Sequence, residues 1–174
     1  KYSKISSFRM YEIILLFHPV TTEIESSEEQ IEKILNAIMP LNKKIISIFP
    51  NSDPGYKNVI KILNQYEKKV SLFESHESLP REDFLGMLKN AGVLIGNSSS
   101  GFIESSYLSI PVVNIGTRQN NREGGKNITN VSGKSISEMK NVINKSLKKN
   151  NSKKTKFSIY GNGRSSEKIV KILE

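Results

Sequence analysis

Residues 12–17 read EIILLF, a run that is apolar at every position after its first, and its pattern decides the fold. A strand with one face in water alternates apolar and polar side chains, whereas an unbroken apolar run suits a parallel strand covered by helices on both faces. A second such run, KIISIF at 44–49, is closed by Pro50. Weaker or shorter ones fall at 70–73, 92–95 and 111–115. Helical patterns lie between them. Ser26 and Ser27 with Glu29 and Gln30 make overlapping capping boxes, after which Ile31, Ile34, Leu35 and Ile38 mark one helix face. Residues 56–67 carry Val59, Ile60, Ile62, Leu63 and Tyr66 at helical spacing. Pro80 suits the first position of a helix bearing Phe84, Leu85 and Leu88. A helix is expected over 101–108. Ser135 and Glu138 open another, with Met139, Val142, Ile143 and Leu147 on one side, and an amphipathic segment runs over 165–174. Residues 117–131 and 148–157 read as flexible connections. Strands alternating with helices, without an internal repeat, imply a Rossmann-like α/β fold: one domain over residues 1–174, a parallel sheet with helices on both faces.

Composition narrows the function classes. A chain of 174 residues with 36% hydrophobic and 25% charged side chains can bury a single sizeable core. It has no cysteine, which excludes a disulfide framework and a thiolate metal site. With only two histidines, His18 and His76, no metal centre and no cofactor are expected. No apolar run approaches the roughly 20 residues needed to cross a bilayer, so no membrane partner is expected. The basic residues within 1–9 are not followed by a signal-peptide core, and the cytoplasm is the default expectation. The net charge of +9 permits anion binding without selecting an anion. Six of the lysines crowd into residues 145–156 among asparagine and serine. That stretch lacks the interleaved aromatics of a single-strand groove, so it reads as a solvated surface rather than a nucleic-acid site.

In a parallel α/β sheet, ligands sit beyond the carboxyl ends of the strands, near the point where strand order reverses. Four strand ends carry compact polar groups: His18-Pro19, Pro50-Asn51-Ser52-Asp53, Gly96-Asn97-Ser98-Ser99-Ser100-Gly101 and Gly116-Thr117-Arg118-Gln119. The third, GNSSSGFIE over 96–104, is a small-residue turn leading into a helix. Backbone N–H groups, the helix dipole and the hydroxyls of Ser98 and Ser99 suit phosphate oxygens there. A tight turn with a serine cap is the plainer reading. No Gly-Lys-Ser/Thr closes the turn, so it is not a Walker A loop. Glu104 lies about one helical turn on, where a carboxylate can accept both hydroxyls of a ribose or simply complement the helix dipole. Arg118 can reach the same phosphates or serve as a surface arginine. His18 can donate to phosphate, pass a proton to a leaving group, or cap backbone. Asn51 can bind a ligand or make an Asx turn. His76, in a polar loop among glutamates, carries no assignment.

Four strings occur in order: HPVTTE (18–23), FPNSDPG (49–55), GNSSSGFIE (96–104) and PVVNIGTRQNNRE (111–123). Together they resemble the C-terminal half of the hydrolysing UDP-N-acetylglucosamine 2-epimerases of sialic-acid and legionaminic-acid biosynthesis. YGNGRSSEKIVKIL (160–173) is similar to that family's closing segment. The resemblance covers essentially the whole chain. It implies half of a two-domain fold like that of the GT-B glycosyltransferases, with the active site between two Rossmann-like halves. It further implies conversion of UDP-GlcNAc and water to N-acetylmannosamine and UDP, by elimination of UDP and then hydration of a 2-acetamidoglucal. On matching positions, His18 would contact the phosphates and assist departure of UDP. Asn51 and the backbone near Leu79 would meet the uracil, Ser98 and Ser99 the diphosphate, and Glu104 the ribose, while Arg118 completes the cleft.

The expected partners are a UDP-sugar, the protein's own N-terminal domain and, at full length, further copies of itself. In the family the acids that move the C2 proton lie in the N-terminal half. This chain begins about ten residues before the strand that leads into HPVTTE, so it is expected to be a fragment that cannot complete the reaction alone. Three alternatives remain open on sequence: a bacillosamine-type UDP-sugar as substrate, the donor half of a GT-B glycosyltransferase or of a non-hydrolysing epimerase, and a basic module that binds nucleic acid.

Overall fold

The computed structural model describes residues 11–20, 27–149, 159–161 and 164–173. Six strands form one parallel sheet: β1 (Ile13–Leu16), β2 (Ile45–Ile48), β3 (Phe73–His76), β4 (Val93–Gly96), β5 (Val112–Ile115) and β6 (Ile128–Val131). Their spatial order is β3-β2-β1-β4-β5-β6. The helices are α1 (Ser27–Ile38), α2 (Tyr56–Lys69), α3 (Arg81–Asn90), α4 (Glu104–Leu108), α5 (Ile136–Lys149) and α6 (Ser165–Leu173). This is the doubly wound order in which the sheet reverses direction of growth between β1 and β4.

The apolar runs are buried on both faces, as their lack of alternation requires. Ile13 and Leu15 face a core completed by Ile31, Ile34 and Leu35 of α1, Val59 and Leu63 of α2, and Met139 and Ile143 of α5. Ile14 and Leu16 point the other way, into a core with Met87 and Leu88 of α3 and the residue pair Ile110 and Val112. Every residue of β1, β2, β4 and β5 is buried.

The two edge strands behave differently, and there the structure departs from expectation. The third strand occupies Phe73–His76 rather than 70–73: Val70 is the C-cap of α2, and its N–H bonds to the Tyr66 carbonyl. In β3 only Phe73 is buried. Residues 117–131, expected to be a flexible connection, end in a sixth strand whose central Thr129 and Asn130 are exposed. Edge strands need little apolar surface, so neither announces itself by hydrophobicity. Pro80 is the N-cap of α3 and not its first residue. The helix expected over 101–108 is divided into a 3-10 turn, Ser99–Gly101, and the short α4. Ser135 does open α5, its hydroxyl accepting from the Glu138 N–H at 3.2 Å. Ser26 and residues 150–157 lie outside the described residues. α6 carries no buried residue. No helix among the described residues is long and apolar enough to cross a membrane.

A candidate functional site where the sheet reverses

The site begins with a close approach of two strand ends. β1 and β4 run side by side with Leu16 opposite Gly96. Gly96 has φ +131°, and a Cβ there would lie 2.1 Å from the Leu16 carbonyl oxygen. Only glycine lets the strands meet at this point. The next residue, Asn97, is buried and ties the two strand ends together. Its Oδ1 accepts from the His18 N–H at 2.7 Å, and its Nδ2 donates to the His18 carbonyl at 2.8 Å. The asparagine side chain thus adds one more rung to the β1–β4 ladder, beyond the strands themselves.

The same residue fixes the far side. The Asn97 carbonyl accepts from Arg118 Nη1 at 3.2 Å and from Gln119 Nε2 at 2.9 Å. Arg118 follows β5 and would otherwise be a flexible side chain. Its second nitrogen, Nη2, lies 3.6 Å from the Asp53 carboxylate in the loop after β2. Four strand ends, those of β1, β2, β4 and β5, are therefore cross-tied through Asn97 and Arg118.

His18 is 5% exposed. Its Nδ1 accepts from the Asn51 N–H at 3.1 Å. A backbone amide can only donate, so the neutral ring carries its proton on Nε2. Burial, reinforced by the Arg118 charge and opposed by Asp53, lowers the imidazole pKa to about 4. At neutral pH the ring is an uncharged Nε2–H donor held in a fixed orientation.

These groups open onto a cleft of about 370 Å³, within the usual range for small-molecule sites. His18, Asn51, Leu79, Ser98, Ser99 and Arg118 all line it, with Phe49 and Phe84 supplying apolar wall. The Ser98 hydroxyl accepts from the Ser100 N–H at 3.3 Å, so it caps the 3-10 turn. That was the plainer reading of the serine, and it is compatible with a donor role for its proton. Glu104 is not part of the lining. Its carboxylate faces Arg81 Nη1 at 3.4 Å, the glutamate side chain being 18% exposed and the arginine 75%. His76 closes β3 outside the lining, 3.9 Å from Glu74.

Asn97, Asp53 and Gln119 lie inside the sequence motifs, yet no ligand role for them follows from sequence alone. Nothing local marks a buried side chain that clips a distant backbone. The one available signal was position, since all three lie just beyond strand ends. Among the described residues, no group of three or more His, Asp or Glu side chains is placed to hold a metal ion.

Residues 3–174 match the family model described as UDP-N-acetylglucosamine 2-epimerase. The chain is 32% identical over 165 residues to the UDP-N,N'-diacetylbacillosamine 2-epimerase (hydrolyzing) of Legionella pneumophila, covering 92% of this chain and 42% of that protein. It is 37% identical over 115 residues to the UDP-N-acetylglucosamine 2-epimerase of Neisseria meningitidis serogroup B, covering 66% of this chain and 30% of that one. The chain thus spans less than half the length of these curated relatives. The crystal structure of the Methanocaldococcus jannaschii UDP-GlcNAc 2-epimerase, in complex with UDP-GlcNAc and UDP, has a TM-score of 0.71 at 23% identity. That likeness of fold covers 99% of this chain and 49% of that one.

Proposed function

The chain belongs to the UDP-N-acetylglucosamine 2-epimerase family, and we propose that it is the half that holds UDP in a hydrolysing 2-epimerase. The observation that carries this reading is the set of donors converging on one cleft. His18 Nε2–H, the Ser98–Ser99 turn and the Arg118 guanidinium line the same space at the reversal of the sheet. Neutral donors and one fixed cation suit a diphosphate, which carries charge on several oxygens. Leu79, Phe49 and Asn51 offer an apolar wall with a polar edge for a pyrimidine. Glu104 is assigned the ribose hydroxyls, and reaching them requires its carboxylate to turn from Arg81.

In the proposed reaction the C2 proton and the C1–O bond to UDP are lost together across the ring, leaving a C1–C2 double bond. Water then supplies hydroxide to C1 and a proton to C2 on the opposite face, giving the 2-epimer and free UDP. His18 would assist the first half by donating its Nε2–H hydrogen bond to the departing diphosphate. The carbon acid–base work is assigned to residues outside this chain. A partner half and self-association belong to the same proposal.

A second reading of the sugar is favoured by one observation: the Legionella diacetylbacillosamine relative matches 92% of the chain. Calorimetric titration with UDP tests the core of the proposal. Weak saturable binding, with no release of N-acetylmannosamine from UDP-GlcNAc by this chain alone, is expected. Turnover by the chain alone would contradict the division of labour. Binding of a short RNA that weakens steeply with salt, with no UDP binding, would favour a nucleic-acid module instead.

A further inference from the structure

Asp53 stands against the logic of an anion site. Its carboxylate lies in the loop after β2, 3.6 Å from the Arg118 guanidinium that the cleft would use for phosphate. Two explanations are physically distinct. A carboxylate can orient an arginine, in which case removing it weakens ligand binding. It can instead occupy an arginine that is already oriented, in which case removing it strengthens binding.

The geometry separates them. Arg118 is anchored independently, since Nη1 donates to the buried Asn97 carbonyl at 3.2 Å. The Asp53 contact is the longer of the two, and both partners are partly open to solvent, at 35% and 27% exposure. It holds Arg118 less firmly than Asn97 does. Its negative charge, however, sits directly on the guanidinium and opposes any diphosphate approaching it.

We propose that Asp53 is a counter-ion that competes with a nucleoside diphosphate for Arg118 and so speeds its departure. The inference rests on the reading of this cleft as a UDP site. In a reaction that ends with UDP in the cleft, a carboxylate waiting on the same guanidinium keeps the product from being held too tightly. It is not a catalytic residue in this account. It tunes the charge that a product must leave behind.

The test is Asp53→Asn. The substitution keeps the size and leaves the backbone carbonyl that accepts from the Tyr56 N–H at 3.0 Å. At pH 8, where His18 is neutral in both proteins, UDP should bind about two- to fivefold more tightly at low ionic strength. Its dissociation should slow to match, and uridine should bind unchanged. The gain should shrink as salt screens the pair. Unchanged or weaker UDP binding would overturn the inference and make Asp53 a positioning residue or a bystander. Arg118→Ala keeps the two levels apart. If that variant binds UDP as well as the parent, the cleft reading itself fails. If it weakens UDP while Asp53→Asn does not strengthen it, only the competition fails. In the Arg118→Ala background, Asp53→Asn should lose most of its effect.

Discussion

The two ends of the candidate site are built in opposite ways. At the His18 end three polar side chains are tied across strand ends: asparagine to histidine backbone, histidine to Asn51, arginine to Asn97. At the Glu104 end a single ion pair joins the first residues of α3 and α4, with Arg81 largely in solvent. The first end is fixed before a ligand arrives, and the second has to rearrange. Preorganised donors lose little on binding a charged group, while an exposed pair that must open contributes only its net gain. The contrast supports the proposal that the diphosphate lies at the rigid end and the ribose at the adjustable one.

The largest expected difference between the ends is in stability. Asn97→Ala leaves the buried N–H and carbonyl of His18 without partners. It should cost about 2–4 kcal/mol by urea unfolding with an unchanged m-value. Glu104→Ala should cost under about 1 kcal/mol, because its partner is exposed. Equal losses would erase the distinction.

Ligand binding sharpens it next. Arg118→Ala should weaken UDP by about tenfold or more, since charge-assisted hydrogen bonds are worth roughly 1.5–3 kcal/mol. Uridine should be unaffected. If both ligands lose equally, Arg118 is structural or touches the nucleoside. Lys145→Ala, on the solvated stretch, should change neither.

A pH effect is expected at the rigid end. The folded-state pKa of His18 is about 4, below the ordinary value of 6.5. Between those values the unfolded chain binds more protons, so stability is full above about pH 6.5 and is lost as pH falls towards 4. From pH 6.5 to 5 the loss from this group should be about 1–2 kcal/mol, at no more than about 1.4 kcal/mol per pH unit. His18→Gln should flatten that part of the profile; an unchanged slope would mean that burial of the neutral ring is not the cause.

Much of the fold was legible because four central strands must be apolar on both faces. The edge strands were not, since β3 and β6 are polar and borrow order from their neighbours. The β3 register slipped because Val70, apolar and β-branched, caps a helix. In the site, strand-end position pointed to His18, Asn51, Ser98, Ser99 and Arg118, the resemblance added Leu79, and all six line one cleft. Position did not reveal Asn97 as the tie between them, because hydrogen bonds spanning 79 residues leave no local pattern. Nor did it show that Arg81 would face Glu104, a pairing made only when α3 and α4 meet.

The smallest expected effect concerns the adjustable end. Glu104→Gln should weaken UDP about three- to tenfold, the lost charge-assisted bonds being partly offset by release of the Arg81 pair. Comparing UDP with 2′,3′-dideoxy-UDP on both proteins closes a double-mutant cycle. Strong non-additivity is expected, and additive losses would remove the ribose from Glu104.

Backbone amide NMR shifts followed during a UDP titration locate the bound nucleotide on the sheet edge. A second, smaller cleft on the same sheet edge, lined by Lys33, Gly133 and Lys134, provides the internal control. Saturating shifts should cluster at His18, Asn51, Leu79, Asn97, Ser98, Ser99 and Arg118 while Gly133 and Lys134 stay still. Shifts centred on Gly133 and Lys134, or spread without saturation over the lysine-rich surface, would contradict the proposal that UDP binds in the His18 cleft.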